Sequence, residues 1–139
     1  FWFLLAVLSQ FAIAWHGPSG SVSVALSLLG WLLLIGGIAL VLAAAQRFQK
    51  WRTPIKPFQQ PKHCITDGVF RYSRNPLYLG EVIMLFGLTA LLGTWLALLP
   101  IPVFIAVIQL VFIRPEERLL EQNFGSAYRT YRRRVRRWV

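Results

Sequence analysis

One cysteine, two histidines and five acidic residues are all that 139 residues offer to disulfide, metal or acid–base chemistry. Cys64 alone cannot close an internal disulfide. His63 stands beside it, but zinc takes three or four protein ligands, so no metal is expected. Charge is scarce as well: charged residues make up 14% of the chain and apolar residues 56%. A soluble domain of this length could not cover its surface with so few charges, and a disordered chain would not be so apolar. The sequence has no phosphate-binding GxxxxGK[ST] loop, no GxGxxG turn, no HExxH and no nucleophile paired with a base. Phe1 lies inside an apolar run with no initiator Met before it. The chain is therefore expected to begin partway into its first helix, and it shows no signal-peptide cleavage pattern.

What is present is apolar and basic. The formal net charge is +10, with all fifteen Lys and Arg in two blocks, Arg47 to Arg74 and Arg114 to Arg137. A basic balance alone fits nucleic acid or anionic lipid. Both blocks abut long apolar runs, which is the positive-inside distribution of a membrane protein and argues against nucleic acid. Membrane lipids are the expected surroundings; the oligomeric state is not legible.

The expected fold is all-α: a polytopic transmembrane bundle of about four helices, forming one domain. Residues 1–46 hold two N-terminal spans, Phe1 to Trp15 and about Val22 to Ala45, joined by the uncharged turn-rich loop His16 to Ser21. Residues 47–75 form a loop in which Pro54, Pro57 and Pro61 exclude one long helix. Residues 76–113 form a hairpin of spans, Pro76 to Leu92 and Trp95 to Ile113, punctuated only by Gly93-Thr94. Pro100 and Pro102 are expected to bend the start of the last span. Residues 114–139 are a helical tail with Leu120, Phe124, Tyr128, Tyr131, Val135 and Trp138 at spacings of three and four, and arginines largely on the other faces. This basic amphipathic helix is expected either to lie on an anionic membrane surface or to fold back as a lid, and Gly125 is a candidate break. Because the 16–21 loop and the 93–94 turn carry no Lys or Arg, the charged loop, the tail and both termini are assigned to the cytoplasm. Gly30, Gly36, Gly37, Gly80 and Gly87 are read as sites of close helix packing.

The hairpin brings two polar stretches together. From Thr94, Pro76 is 18 residues back and Arg114 is 20 residues on, so both lie about 30 Å from the turn at a rise of ~1.5 Å per residue. A site is expected between Arg74–Glu81 and Arg114–Arg118. Asn75 can cap the helix that Pro76 opens, which either ends there or offers N–H groups to an anion. Tyr78 is read as an interfacial residue or a site residue. Glu81 lies one turn inside an apolar helix, where a carboxylate needs a partner such as Arg74 or Arg114, or a wet cavity. Glu116 and Glu117 form a solvated cluster, hold a cationic ligand, or orient Arg114 or Arg118.

The stretch Thr66-Asp-Gly-Val-Phe-Arg-Tyr-Ser-Arg-Asn-Pro-Leu-Tyr-Leu-Gly80, followed after the hairpin by Arg114-Pro-Glu-Glu-Arg and a tail in the pattern EExxLxxxFGxxYxxYxxxVxRW, resembles the isoprenylcysteine carboxyl methyltransferase family. The resemblance runs over about residues 62 to 138 and leaves the first two helices matched only in being apolar. It implies a membrane methyltransferase dependent on S-adenosylmethionine, with the cofactor at the cytoplasmic end of the bundle and a lipophilic methyl acceptor. Carried onto this chain, it implies that His63, Cys64, Ile65, Phe70, Asn75, Pro76, Leu77, Tyr78 and Glu116 bind the cofactor. Arg114 and Glu117 are then assigned to the substrate side. Glu81 or Glu117 would serve as base if the acceptor must lose a proton. Two departures bear on contacts: Asn75 stands where eukaryotic members commonly have His, and Phe70 where Tyr is frequent. Two other readings remain. Membrane sterol reductases that use NADPH share a similar Arg-His-Pro-x-Tyr-x-Gly element, although the Glu-Glu pair and the short chain favour the methyltransferase. A non-catalytic module binding anionic lipid through its basic tail would need no cofactor at all.

Overall fold

A computed structural model describes residues 1–18, 20–52 and 63–139. Pro54, Pro57 and Pro61 lie outside the described residues. Every secondary-structure element among the described residues is helical. The chain forms α1 (Trp2–His16), α2 (Val24–Lys50), a short 3₁₀ turn at Gly68–Arg71, α3 (Pro76–Leu92), a second 3₁₀ turn at Trp95–Leu98, α4 (Pro100–Val107) and α5 (Arg114–Arg134). Between α4 and α5 the helix does not stop. It widens into π-type turns over Ile108–Ile113 and runs on. Pro115 follows in the first turn of α5, and having no N–H to give the preceding turn it favours such widening.

The expected helices thus appear with shifted ends. α2 begins at Ser23, whose Oγ accepts the Leu26 N–H at 3.3 Å, and continues past Ala45 to Lys50. Arg47 and Lys50 complement the negative end of its dipole in the last turn. Among the described residues two helices are long and apolar enough to cross a membrane: α2, and the continuous run from Trp95 whose apolar part ends at Ile113. α1 and α3 are apolar but only 15 and 17 residues long. On α2, Trp31, Leu32, Ile35, Ile38 and Leu42 are all exposed, as are Trp2, Leu5, Leu8 and Phe11 on α1. An apolar surface of that extent requires lipid around it rather than water.

Seven-residue spacing builds the tightest contact. Gly30, Gly37 and Ala44 share one face of α2, and Gly80 and Gly87 one face of α3, all buried. The helices run antiparallel with their backbones pressed together. A Cβ on Gly37 would lie 2.7 Å from the Gly80 carbonyl oxygen, and one on Gly80 would lie 2.8 Å from that of Gly37. Gly30 and Gly87 face each other in the same way, at 3.0 and 2.8 Å. Gly36 differs from the other four: a Cβ there would meet open space.

On the other side of α3, α1 and α4 complete a core of Ala6, Val82, Leu85, Ile101, Phe104, Ile108 and Ile113. Gln10 fastens α1 within it. Its Nε2 lies 3.1 Å from the Leu85 carbonyl, 3.0 Å from Thr89 Oγ1 and 2.9 Å from the Ala97 carbonyl. Gly93 ends α3 in the left-handed conformation at φ +67°, which glycine adopts at no steric cost. The hairpin turns there.

α5 breaks at Gly125, where φ is 48° and ψ −115°. Past the break, Tyr128, Tyr131 and Val135 are buried together with Cys64, Leu120 and Phe124. The Tyr131 hydroxyl donates to the Phe70 carbonyl at 2.7 Å. The apolar side of this helix is therefore covered by the chain's own 63–75 segment, while Arg129, Arg132, Arg133, Arg134 and Arg136 stay exposed. The tail thus packs onto the 63–75 segment of its own chain.

Candidate active site

The site lies where the loop before α3 meets the junction of α4 and α5. Arg74 to Tyr78 form one wall. Pro76 occupies the first turn of α3 behind Asn75, since its fixed φ suits a helix start and its missing N–H costs nothing there. Glu116 and Glu117 occupy the first turn of α5. The Tyr78 hydroxyl donates to Glu116 Oε1 at 3.4 Å across the gap, joining two stretches 38 residues apart. Phe112 packs against the Tyr78 ring at 6.3 Å.

The two adjacent glutamates have different surroundings. Glu117 is buried between two arginines. Arg74 Nη1 lies 3.0 Å from its Oε1, while Arg137 donates from Nε to Oε1 at 3.0 Å and from Nη2 to Oε2 at 2.7 Å. Arg74 Nη1 also donates to the Tyr128 hydroxyl at 3.3 Å. Among the described residues Glu116 bonds to the Tyr78 hydroxyl alone. Burial pushes its carboxyl up to about 7, with the hydrogen bond from Tyr78 pulling the other way. Arg74 contributes one more incomplete group, a buried Nε with no acceptor among the described residues.

The other expected residues are distributed around this centre. Ile65 and Phe70 are buried with Ala44, and Leu77 packs against that cluster. The Phe70 ring stands edge-on to Phe48 at 5.6 Å. Cys64 is half-buried, and burial raises the pKa of its thiol. His63 lies against Trp51, with ring centroids 5.5 Å apart. Asp67 anchors this segment to the end of α2, accepting from Arg47 at 3.1 Å and from Trp51 Nε1 at 3.0 Å. These residues frame one side of the site without converging on Glu116 by direct bonds. Among the described residues no three His, Cys, Asp or Glu side chains group as a metal site.

Three expectations change. Asn75 sits at the cap position, but its side chain makes no capping bond. Its Nδ2 donates instead to the Arg137 carbonyl at 3.1 Å. Glu81 pairs with neither Arg74 nor Arg114, because Arg74 is held by Glu117; it stays half-buried on α3 one turn beyond Tyr78. Glu117 does not orient Arg114 or Arg118, both of which are exposed; it holds Arg74 and Arg137. The sequence placed Arg74 at the site but with the wrong carboxylate, and it missed Tyr128 and Arg137 as partners there. Arg137 lies 20 residues beyond Glu117, past a helix break that no helical phase carries across.

The family model described as phospholipid methyltransferase matches residues 25–127. Over 63 residues, 45% of this chain, the sequence is 43% identical to an uncharacterized protein of Haemophilus influenzae along that protein's whole length. Over 74 residues, 51% of this chain, it is 36% identical to the protein-S-isoprenylcysteine O-methyltransferase of Schizosaccharomyces pombe, and the match spans 30% of that enzyme. No solved structure matches at a significant level. The matched residues take in α2, the loop before α3, the hairpin and the first turn of α5, so both walls of the site fall inside them: the chain is a member of the phospholipid methyltransferase family.

Proposed function

We propose that this methyltransferase takes its methyl group from S-adenosylmethionine, bound at the Tyr78–Glu116 junction, and passes it to a lipophilic acceptor arriving from the membrane. The observation that carries the reading is the contrast between the two glutamates. Glu117 is neutralised on both sides, whereas Glu116 is a largely buried carboxylate whose partner among the described residues is a phenol. A carboxylate left so in apolar surroundings suits a cationic ligand. The Arg74 Nε, unpartnered among the described residues and held in the ion-pair cluster of the adjacent Glu117, suits an acceptor such as the ligand's carboxylate. The residues present thus fit a molecule bearing both signs of charge.

When bound, S-adenosylmethionine supplies an electrophilic methyl group on a positively charged sulfur, and the bond electrons stay with sulfur as the acceptor forms its new bond. The protein's share is mainly placement. Glu116 holds the cationic end, Tyr78 and Phe112 form the apolar wall, and Leu77 with the Ile65–Phe70 cluster closes the loop side against water. A carboxylate acceptor needs no base. A thiol or amine acceptor must lose a proton, and Glu81, half-buried on α3 and in no salt bridge among the described residues, is the group available for it. The acceptor we favour is an isoprenylcysteine-type carboxylate or thiol, on the resemblance in the second half of the chain and the identity to the fission-yeast enzyme; the family description adds a phospholipid. The orientation with this site and both termini in the cytoplasm rests on the charge distribution, as does a topology of four spans in which α1 and α3 also cross. The family match does not favour an NADPH-dependent reductase.

The test is calorimetric binding of S-adenosylmethionine and, separately, NADPH to the detergent-purified protein and to Glu116→Ala. Micromolar binding of the former, lost in the variant, is expected. Binding of NADPH alone would replace the reading with a reductase, and binding of neither by folded protein would leave a lipid-binding module.

A further inference from the structure

The last residues of the chain double back onto the site. At Val135 the backbone turns extended, with φ −119° and ψ 130°. The Arg74 N–H then donates to the Arg136 carbonyl at 3.0 Å. The Arg137 carbonyl accepts from Ser73 Oγ at 3.3 Å and from Asn75 Nδ2 at 3.1 Å. Its guanidinium meanwhile holds both oxygens of Glu117. Trp138 follows, its Nε1 donating to Gln109 Oε1 at 3.3 Å in the widened helical segment. Arg137 therefore ties the loop before α3 to the first turn of α5 through its carbonyl on one side and its guanidinium on the other, alongside the direct Arg74–Glu117 pair.

We propose that Arg137 is a positioning residue, fixing these two turns against each other so that Tyr78 and Glu116 face across the gap. The proposal rests on Glu116 being a cofactor contact. A guanidinium paired with a carboxylate in two parallel bonds fixes distance and plane together. Because Glu116 and Glu117 are consecutive in one helix, the direction held for Glu117 sets the direction of Glu116. Arg74 remains on Glu117 when Arg137 is removed, so charge pairing survives and orientation is what goes. Lysine would restore charge but not the fork.

The experiment uses the full chain in detergent as wild type, Arg137→Ala, Arg137→Lys and the exposed control Arg133→Ala. Amide hydrogen exchange without ligand reads the tie itself. In Arg137→Ala, exchange at residues 74–79 and 114–118 is expected to quicken by about tenfold while the glycine-lined stretch 30–41 keeps its protection. Arg137→Lys should fall between, and Arg133→Ala should match wild type. Calorimetry with S-adenosylmethionine reads the consequence: affinity about tenfold weaker in Arg137→Ala and partly recovered in Arg137→Lys. Unchanged exchange at 74–79 overturns the proposal, and so does equal quickening throughout α2 and α3, which marks general loosening. Quickened exchange with wild-type affinity overturns the link to the cofactor. If wild type itself fails to bind S-adenosylmethionine, the cofactor reading falls, while the exchange arm still decides whether Arg137 sets the geometry.

Discussion

Replacing Glu116 by glutamine keeps the shape of the side chain and removes its charge, which isolates what the carboxylate does. In the free protein burial holds this carboxyl near 7, above its ordinary 4.5. The sign follows directly. The neutral form prevails below pH 7 and the carboxylate above it, so affinity for a cation rises with pH. At a value of about 7 the ionised fraction is roughly one in eleven at pH 6 and ten in eleven at pH 8, which makes affinity about tenfold higher at pH 8. Ligand-free stability has the opposite trend: a carboxyl raised by burial stabilises least once ionised, so its contribution falls from about pH 4.5 towards 7 and then levels. Losing a charge-assisted contact costs about 1.5–3 kcal/mol, so Glu116→Gln should bind S-adenosylmethionine about 10- to 100-fold more weakly at pH 8. Calorimetry at pH 6, 7 and 8 on both proteins measures this. The ligand's own amino group also titrates in this range, and the difference between the two curves removes it. Parallel curves would refute the argument, because the pH dependence would then belong to the ligand alone.

Other perturbations test the scaffold. Gly80→Val sets a branched side chain against the Gly37 carbonyl and Val41; it should cost about 1–3 kcal/mol by overpacking and lower the melting temperature, while Gly36→Ala, which meets open space, should leave it unchanged. Glu117→Ala leaves Arg74 and Arg137 without their shared carboxylate, and should destabilise the fold by about 3 kcal/mol in denaturant titration; Glu116→Gln should not. Gln10→Leu removes the amide that joins α1 to α3 and to the 95–98 turn. A loss of about 0.5–1.5 kcal/mol is expected, kept small because Gln10 Oε1 is itself buried without a partner.

The helices were legible because lipid-facing spans are written as uninterrupted apolar runs, and the hairpin because Gly93 is the one break between two of them. Counting residues from that turn was enough to bring Pro76 and Arg114 to one end, where Tyr78 meets Glu116. Helix continuity through Ile113 was not legible: a basic residue followed by proline reads as a boundary, yet here the backbone widens by π-type turns and proceeds. Nor could spacing tell Gly36 from Gly37, since only the contact with α3 decides which one is buried. Asn75 misled for a related reason. Its type and place satisfy every rule for a cap, but a carbonyl from the far end of the chain, 62 residues on, takes its amide.

The same limit explains the glutamates. Consecutive residues on a helix point about 100° apart, so Glu116 and Glu117 cannot share one set of partners, and sequence alone leaves open which faces the arginines. The fold resolves it through the break at Gly125, which turns the second half of α5 back until Arg137 reaches Glu117. The electrostatic result bears on the ligand. Arg74 and Arg137 against Glu117 leave one positive charge, and Glu116, when ionised, brings the group to neutrality. A purely anionic ligand would leave Glu116 buried and unanswered, and a purely cationic one would leave the Arg74 Nε so. A ligand that presents a cation to one and a carboxylate to the other answers both, and on this ground we propose an amino-acid-bearing sulfonium rather than a nicotinamide dinucleotide.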